Sequence, residues 1–162
     1  MTPNKKQLKQ YPYLWRHLNQ YLHLYPWKHV RNWNKFVEAA GIASHDLALA
    51  RLPMFAWGWP TPIITVKDLS YRGSVYGHFD PYRPREILLS IDMVKRFEES
   101  PNNKKGQELV IAKTLHEMVH WANYNFSKLS LKVTPENRFQ EKGNAFEMAV
   151  YNRVIQMKDN EW

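Results

Sequence analysis

After Gly106 the chain runs to about Phe126 without a proline or a second glycine, so this stretch reads as one long helix. Inside it stands His116-Glu117-Met118-Val119-His120, the pattern H-E-x-x-H. With 7 histidines and 10 glutamates in 162 residues, chance produces the pattern on the order of 2% of the time. Residues four apart share a helix face, so both imidazoles can reach one ion at about 2.0–2.1 Å. Glu117, turned about 100° from His116, can reach a water held by that ion. On a helical wheel Ile111, Ala112, Leu115, Met118, Val119 and Ala122 fill one arc with the histidines at its edge, which describes a half-buried site on a supported helix.

Two histidines leave a zinc short of a ligand, since a catalytic site takes three protein ligands and keeps one position open for water. Cysteine is absent, and no histidine follows His120, so the third ligand is a downstream carboxylate: Glu136, Glu141, Glu147, Asp159 or Glu161. Thr134-Pro135 has an N-cap residue followed by proline and predicts a second helix reaching toward Lys158. On that helix Phe139, Gly143, Phe146, Val150, Val154 and Met157 form an apolar stripe, with Glu147 at its edge and Glu141 on the more polar face. The reading prefers Glu147 as third ligand and keeps Glu141 as the alternative, the other one orienting a ligating histidine. Gly143, one turn before Glu147, lets the two helices approach closely.

The remainder predicts an α+β single domain spanning 1–162. Residues 1–45 form an aromatic, basic part with helices over 13–24 and 27–40, ended by Gly41. Its Tyr11, Tyr13, Trp15, Tyr21, Tyr25, Trp27, Trp33 and Phe36 read as core at helical spacing, with a base-stacking platform as the rival reading. A short helix, Ser44–Leu52, and an aromatic loop over 53–62 follow. Ile63–Val66, Gly73–His78 and Glu86–Ile91 predict a small mixed or antiparallel sheet, and Met93–Glu99 a short helix. The last strand, 86–91, is expected to hold an extended peptide by edge pairing.

No cysteine means no disulfides, zinc fingers, iron–sulfur clusters or cysteine nucleophile. The 23 Lys+Arg against 15 Asp+Glu give +8, which favours an acidic partner. No apolar stretch approaches the roughly 20 residues of a membrane span. No recognised nucleic-acid motif is present, so a non-catalytic nucleic-acid-binding module is the weaker alternative.

Leu115-His-Glu-Met-Val-His-Trp121 followed by Glu141-Lys-Gly-Asn-Ala-Phe-Glu147-Met-Ala-Val-Tyr151 resembles the zincin-type metallopeptidase toxin domains of bacterial polymorphic toxins and interbacterial secretion effectors. The resemblance covers residues about 109–154. It implies a zincin-like fold with an active-site helix and a C-terminal ligand helix, one zinc per chain, and hydrolysis of peptide bonds. The expected mechanism has Glu117 as general base, with Tyr151, Tyr124 or His78 as donor to the oxyanion. Expected partners are a peptide or protein substrate, peptidoglycan stem peptides included, and an immunity or carrier protein. The opening Met1-Thr-Pro-Asn-Lys-Lys lacks the apolar run of a signal peptide, so export is expected through a dedicated bacterial secretion system or as a toxin domain of a larger chain.

Overall fold

The computed structural model describes residues 2–3, 6–22, 24–42, 62–72, 75–126 and 141–156. In chain order these hold β1 (Thr2–Pro3), α1 (Pro12–Leu22), α2 (Tyr25–Lys28), α3 (Val30–Ala40), β2 (Ile63–Lys67), β3 (Gly77–Phe79), β4 (Glu86–Ser90), α4 (Ile91–Glu99), α5 (Lys104–Phe126) and α6 (Lys142–Tyr151). The class is α+β, as expected. The expected helix at Ser44–Leu52, the loop over 53–61 and the start at Thr134-Pro135 lie outside the described residues, as do Glu136, Asp159 and Glu161.

The strands form one mixed sheet in the order β1-β2-β4-β3. β2 runs parallel to β4, from Ile63 opposite Glu86 to Lys67 opposite Ser90, and β3 runs antiparallel to β4, with Gly77 opposite Leu89 and Phe79 opposite Ile87. β4 is therefore an interior strand, and the expectation that residues 86–91 offer an edge to a substrate is corrected. Its apolar run is the mark of a strand covered on both faces, and Ile87, Leu88 and Leu89 are all buried. The edge on the side of the long helix belongs instead to β3.

α5 is the centre of the molecule and packs against β3, β4, α1, α3, α4 and α6. The wheel predicts one apolar arc, yet Leu109, Val110, Ile111, Ala112, Leu115, Met118, Val119, Trp121 and Ala122 are buried together with Lys113, Thr114 and Glu117. A helix wrapped on nearly every side belongs to the core, and its polar residues must then find partners inside.

The N-terminal aromatics are mostly core. Tyr11, Trp15, Tyr25, Trp33 and Phe36 are buried, whereas Tyr13, Tyr21 and Trp27 are exposed. The Glu98 carboxylate of α4 accepts the Leu14 N–H at 2.7 Å, satisfying a first-turn donor of α1 and tying the two helices. Gly41 ends α3 in the left-handed conformation at φ 67°.

The C-terminal helix ends at Tyr151, so the expectation that it reaches Lys158 is also corrected. Asn152 adopts φ 56°, and its N–H donates to the Met148 carbonyl at 3.1 Å, a left-handed cap that stops the helix. The chain then turns back to bury Ile155. Asn152→Gly should leave thermal stability nearly unchanged. Asn152→Val should lower it by about 1–2 kcal/mol in denaturant unfolding, because a β-branched side chain resists positive φ.

Candidate metal centre

His116 and His120 lie on one face of α5 with ring centroids 5.3 Å apart. Glu141, at the N-cap position just before α6, reaches both: its Oε1 is 3.1 Å from His116 Nε2 and 2.8 Å from His120 Nε2. One nitrogen from each imidazole and one carboxylate oxygen thus lie within 4.8 Å of one another. Glu141 is half exposed, His120 a quarter exposed and His116 mostly buried.

Glu147 is fully buried and does not join that group. Its Oε1 is 2.7 Å from His116 Nδ1, the ring nitrogen opposite the one that Glu141 meets. An oxygen on Nδ1 cannot reach an ion held at Nε2 of the same ring. Lys113 Nζ donates to both Glu147 oxygens, at 2.8 and 3.1 Å, and the Ile155 N–H donates to Oε2. The apolar stripe correctly indicates that Glu147 is buried, but that burial serves a histidine and a lysine. Its rival, Glu141, precedes the helix, so a continuous wheel through residue 141 misplaces it.

His116 therefore sits between two carboxylates. Burial disfavours its charged form, yet the hydrogen bonds to Glu141 and Glu147 outweigh that and hold its pKa up at about 9. Both carboxyls lie below the ordinary range: Glu141 through its bonds to His116 and His120, and Glu147 through His116 and Lys113 overcoming its burial. A cation is required at Nε2 of such an imidazole, a proton or a metal ion, and the nitrogen–nitrogen–oxygen donor set suits a metal.

Glu117 stands beside this group without joining it, with Oε1 3.9 Å from His116 Nε2. It lies under β3, where the Phe79 N–H bonds to its carboxylate, and burial pushes its pKa up, as suits a general base. Gly77 makes that fit: a Cβ there would stand 2.7 Å from Glu117 Cγ. Gly143 does the same for His116, since a Cβ at that position would overlap the imidazole. The sequence reading anticipates close approach at Gly143 but misses Gly77 and Lys113. The signals were a glycine inside a strand and a lysine three residues before His116, on the flank of the helix that carries the motif.

The three oxyanion candidates separate. Tyr124 lies one turn beyond His120, with its ring 5.7 Å from that of Phe79. His78 alternates with Gly77 and Phe79 along β3, so the pleat sends it to the sheet face opposite Glu117. Tyr151 packs edge-on against Phe146 and lines, with Tyr25 and Asn32, a cavity that includes none of His116, Glu117, His120 and Glu141.

Residues 7–152 match the family described as metallopeptidase toxin 3. The chain belongs to that family. The match takes in the aromatic N-terminal helices as well as the motif helices. No curated protein and no solved structure matches it significantly. As a metallopeptidase toxin, it is a peptide-bond hydrolase that needs a metal ion, and His116, His120 and Glu141 form a group able to hold one. Among the described residues no helix is long and apolar enough to cross a membrane.

Two outcomes test this geometry. Gly143→Ala should weaken metal binding of this metallopeptidase toxin at least tenfold, measured by chelator competition, since the methyl and His116 cannot share one place. In the metal-free protein, His116 has a folded pKa of about 9 against an unfolded 6.5. Its stabilisation is therefore complete below about pH 6.5 and lost as pH rises through about 9, whereas that of Glu141 and Glu147 is lost below about pH 4.5. The melting temperature of EDTA-treated protein should fall between pH 6.5 and 9; a level profile would contradict the raised pKa.

Proposed function

We propose that the protein is a zinc-dependent peptidase in which His116, His120 and Glu141 hold one zinc per chain and Glu117 is the general base. The observation that carries this reading is the meeting of His116 Nε2, His120 Nε2 and Glu141 Oε1 within 4.8 Å, beside a buried glutamate that is not one of them. Zinc bound there would supply a Lewis acid that makes a water nucleophilic near neutral pH and polarises the scissile carbonyl. Glu117 takes the proton from the attacking water and passes it to the amine nitrogen as the C–N bond breaks. Its raised pKa suits both transfers. Glu147 accepts the Nδ1–H of His116 and fixes the tautomer that turns the Nε2 lone pair toward the ion.

The substrate is a peptide or protein held extended along β3, whose outer edge pairs with no strand among the described residues and which lies directly on Glu117. Tyr124 is the donor to the carbonyl oxygen as charge develops, supported by its place one turn beyond His120. The net charge of +8 favours an acidic surface, so peptidoglycan stem peptides are a second substrate class and an acidic immunity or carrier protein the matching partner. Delivery through a bacterial secretion system or as part of a larger toxin fits the family. The nucleic-acid reading is disfavoured because five of its eight proposed stacking aromatics are in the core.

Purified protein loaded with zinc should hold about one ion per chain by elemental analysis. Glu117→Gln should retain the ion and lose peptide hydrolysis by at least a hundredfold. Normal turnover in that variant would remove Glu117 as base. Glu141→Ala should weaken zinc binding more than Glu147→Ala, for which about 10–100-fold is expected of a group acting through His116. The reverse order in a zinc titration would return the third-ligand role to Glu147.

A further inference from the structure

Lys113 is a lysine in the core. Only 7% of it is exposed, and its ammonium sits on the carboxylate of Glu147, which is wholly enclosed. Lysines are almost never buried without a partner, and a buried ion pair is weak evidence for stability, since apolar residues of similar volume commonly replace one at no loss. Packing between α5 and α6 therefore does not call for a charge here.

What the pair does is directional. A carboxylate can turn about its last bond, and a buried one turns toward whatever donors surround it. Lys113 Nζ lies 2.8 Å from Oε1 and 3.1 Å from Oε2, bridging both oxygens and fixing the carboxylate plane. The Ile155 N–H occupies Oε2. Oε1 is the oxygen left for His116 Nδ1, which it meets at 2.7 Å. Lys113 and His116 are three apart on α5, so ammonium and imidazole share a flank of that helix and one residue of α6 spans both.

We propose that Lys113 is a positioning residue of the metal centre: by clamping Glu147 it orients the His116 ring so that Nε2 faces Glu141 and His120. This rests on the reading of His116 as a metal ligand. The lysine touches neither ion nor substrate, and its effect reaches the site through one carboxylate and one ring.

The test measures zinc dissociation constants by chelator competition, well below the melting temperature, alongside the melting temperature of the metal-free protein. Lys113→Met should bind zinc about 10–100-fold more weakly than the parent, the range expected when the support of a ligating histidine is lost. Lys113→Arg, which keeps a bridging cation, should recover most of that loss. A lysine with only a structural role would shift the melting temperature and leave the zinc constant of the folded protein alone. A constant within threefold of the parent in Lys113→Met overturns the proposal, whatever the melting temperature does. Where methionine leaves the protein unfolded, Lys113→Ala, which also removes the bridging donor and leaves room for water, is judged by the same threshold. Failure of the parent itself to bind zinc would instead overturn the metallocentre on which the proposal rests.

Discussion

The enclosed carboxylate of Glu147 joins the segment that follows its own helix to α5, more than thirty residues earlier in the chain. Lys113 and His116 come from α5, Glu147 from α6, and Ile155 from the segment that folds back after Asn152. An unpaired charge at zero exposure is costly, so each of these donors is needed where it is. That requirement brings the two helices into register, and the glycine at 143 removes the side chain that would otherwise hold them apart. The candidate metal group follows, because Glu141 is carried to His116 and His120 by the helix that Glu147 anchors.

The sheet performs the matching task on the other flank of α5. β1, β2 and β4 run parallel, with β4 buried between its neighbours, and the antiparallel β3 is laid along the helix at Glu117. Gly77 lets backbone meet the Glu117 side chain, and the Phe79 N–H fixes the carboxylate. Two glycines thus stand against the two adjacent residues His116 and Glu117, one from α6 and one from β3. Each admits a contact that any Cβ would block, and a half-ångström displacement at either would move a group whose chemistry depends on position.

The aromatic N-terminal third belongs to this same unit. Trp33 stacks on Phe36, and Phe36 meets Phe146 of α6 edge-on, so α3 supports the helix that carries Glu147. Basic charge and aromatic content together suggest a binding platform, but the rings are largely spent on the core. Their spacing at helical intervals carries that information, whereas composition alone does not.

The histidine pair, its neighbouring glutamate, the long helix and the α+β order were legible because they depend on local rules: a four-residue repeat on one helix face, a run free of breakers, and short β-branched segments between turn residues. Burial of Glu147 and close approach at Gly143 were legible for the same reason. Strand order was not, since an apolar run marks β4 as covered but does not say by which neighbours. Nor was it legible which of Glu141 and Glu147 stands beside both histidines, because that turns on where α6 begins and on a lysine from another helix. A wheel describes one helix in isolation. Which face of an imidazole meets which carboxylate is set by the packing of two helices and a returning tail, and long-range contacts of that kind leave no periodic trace in the chain.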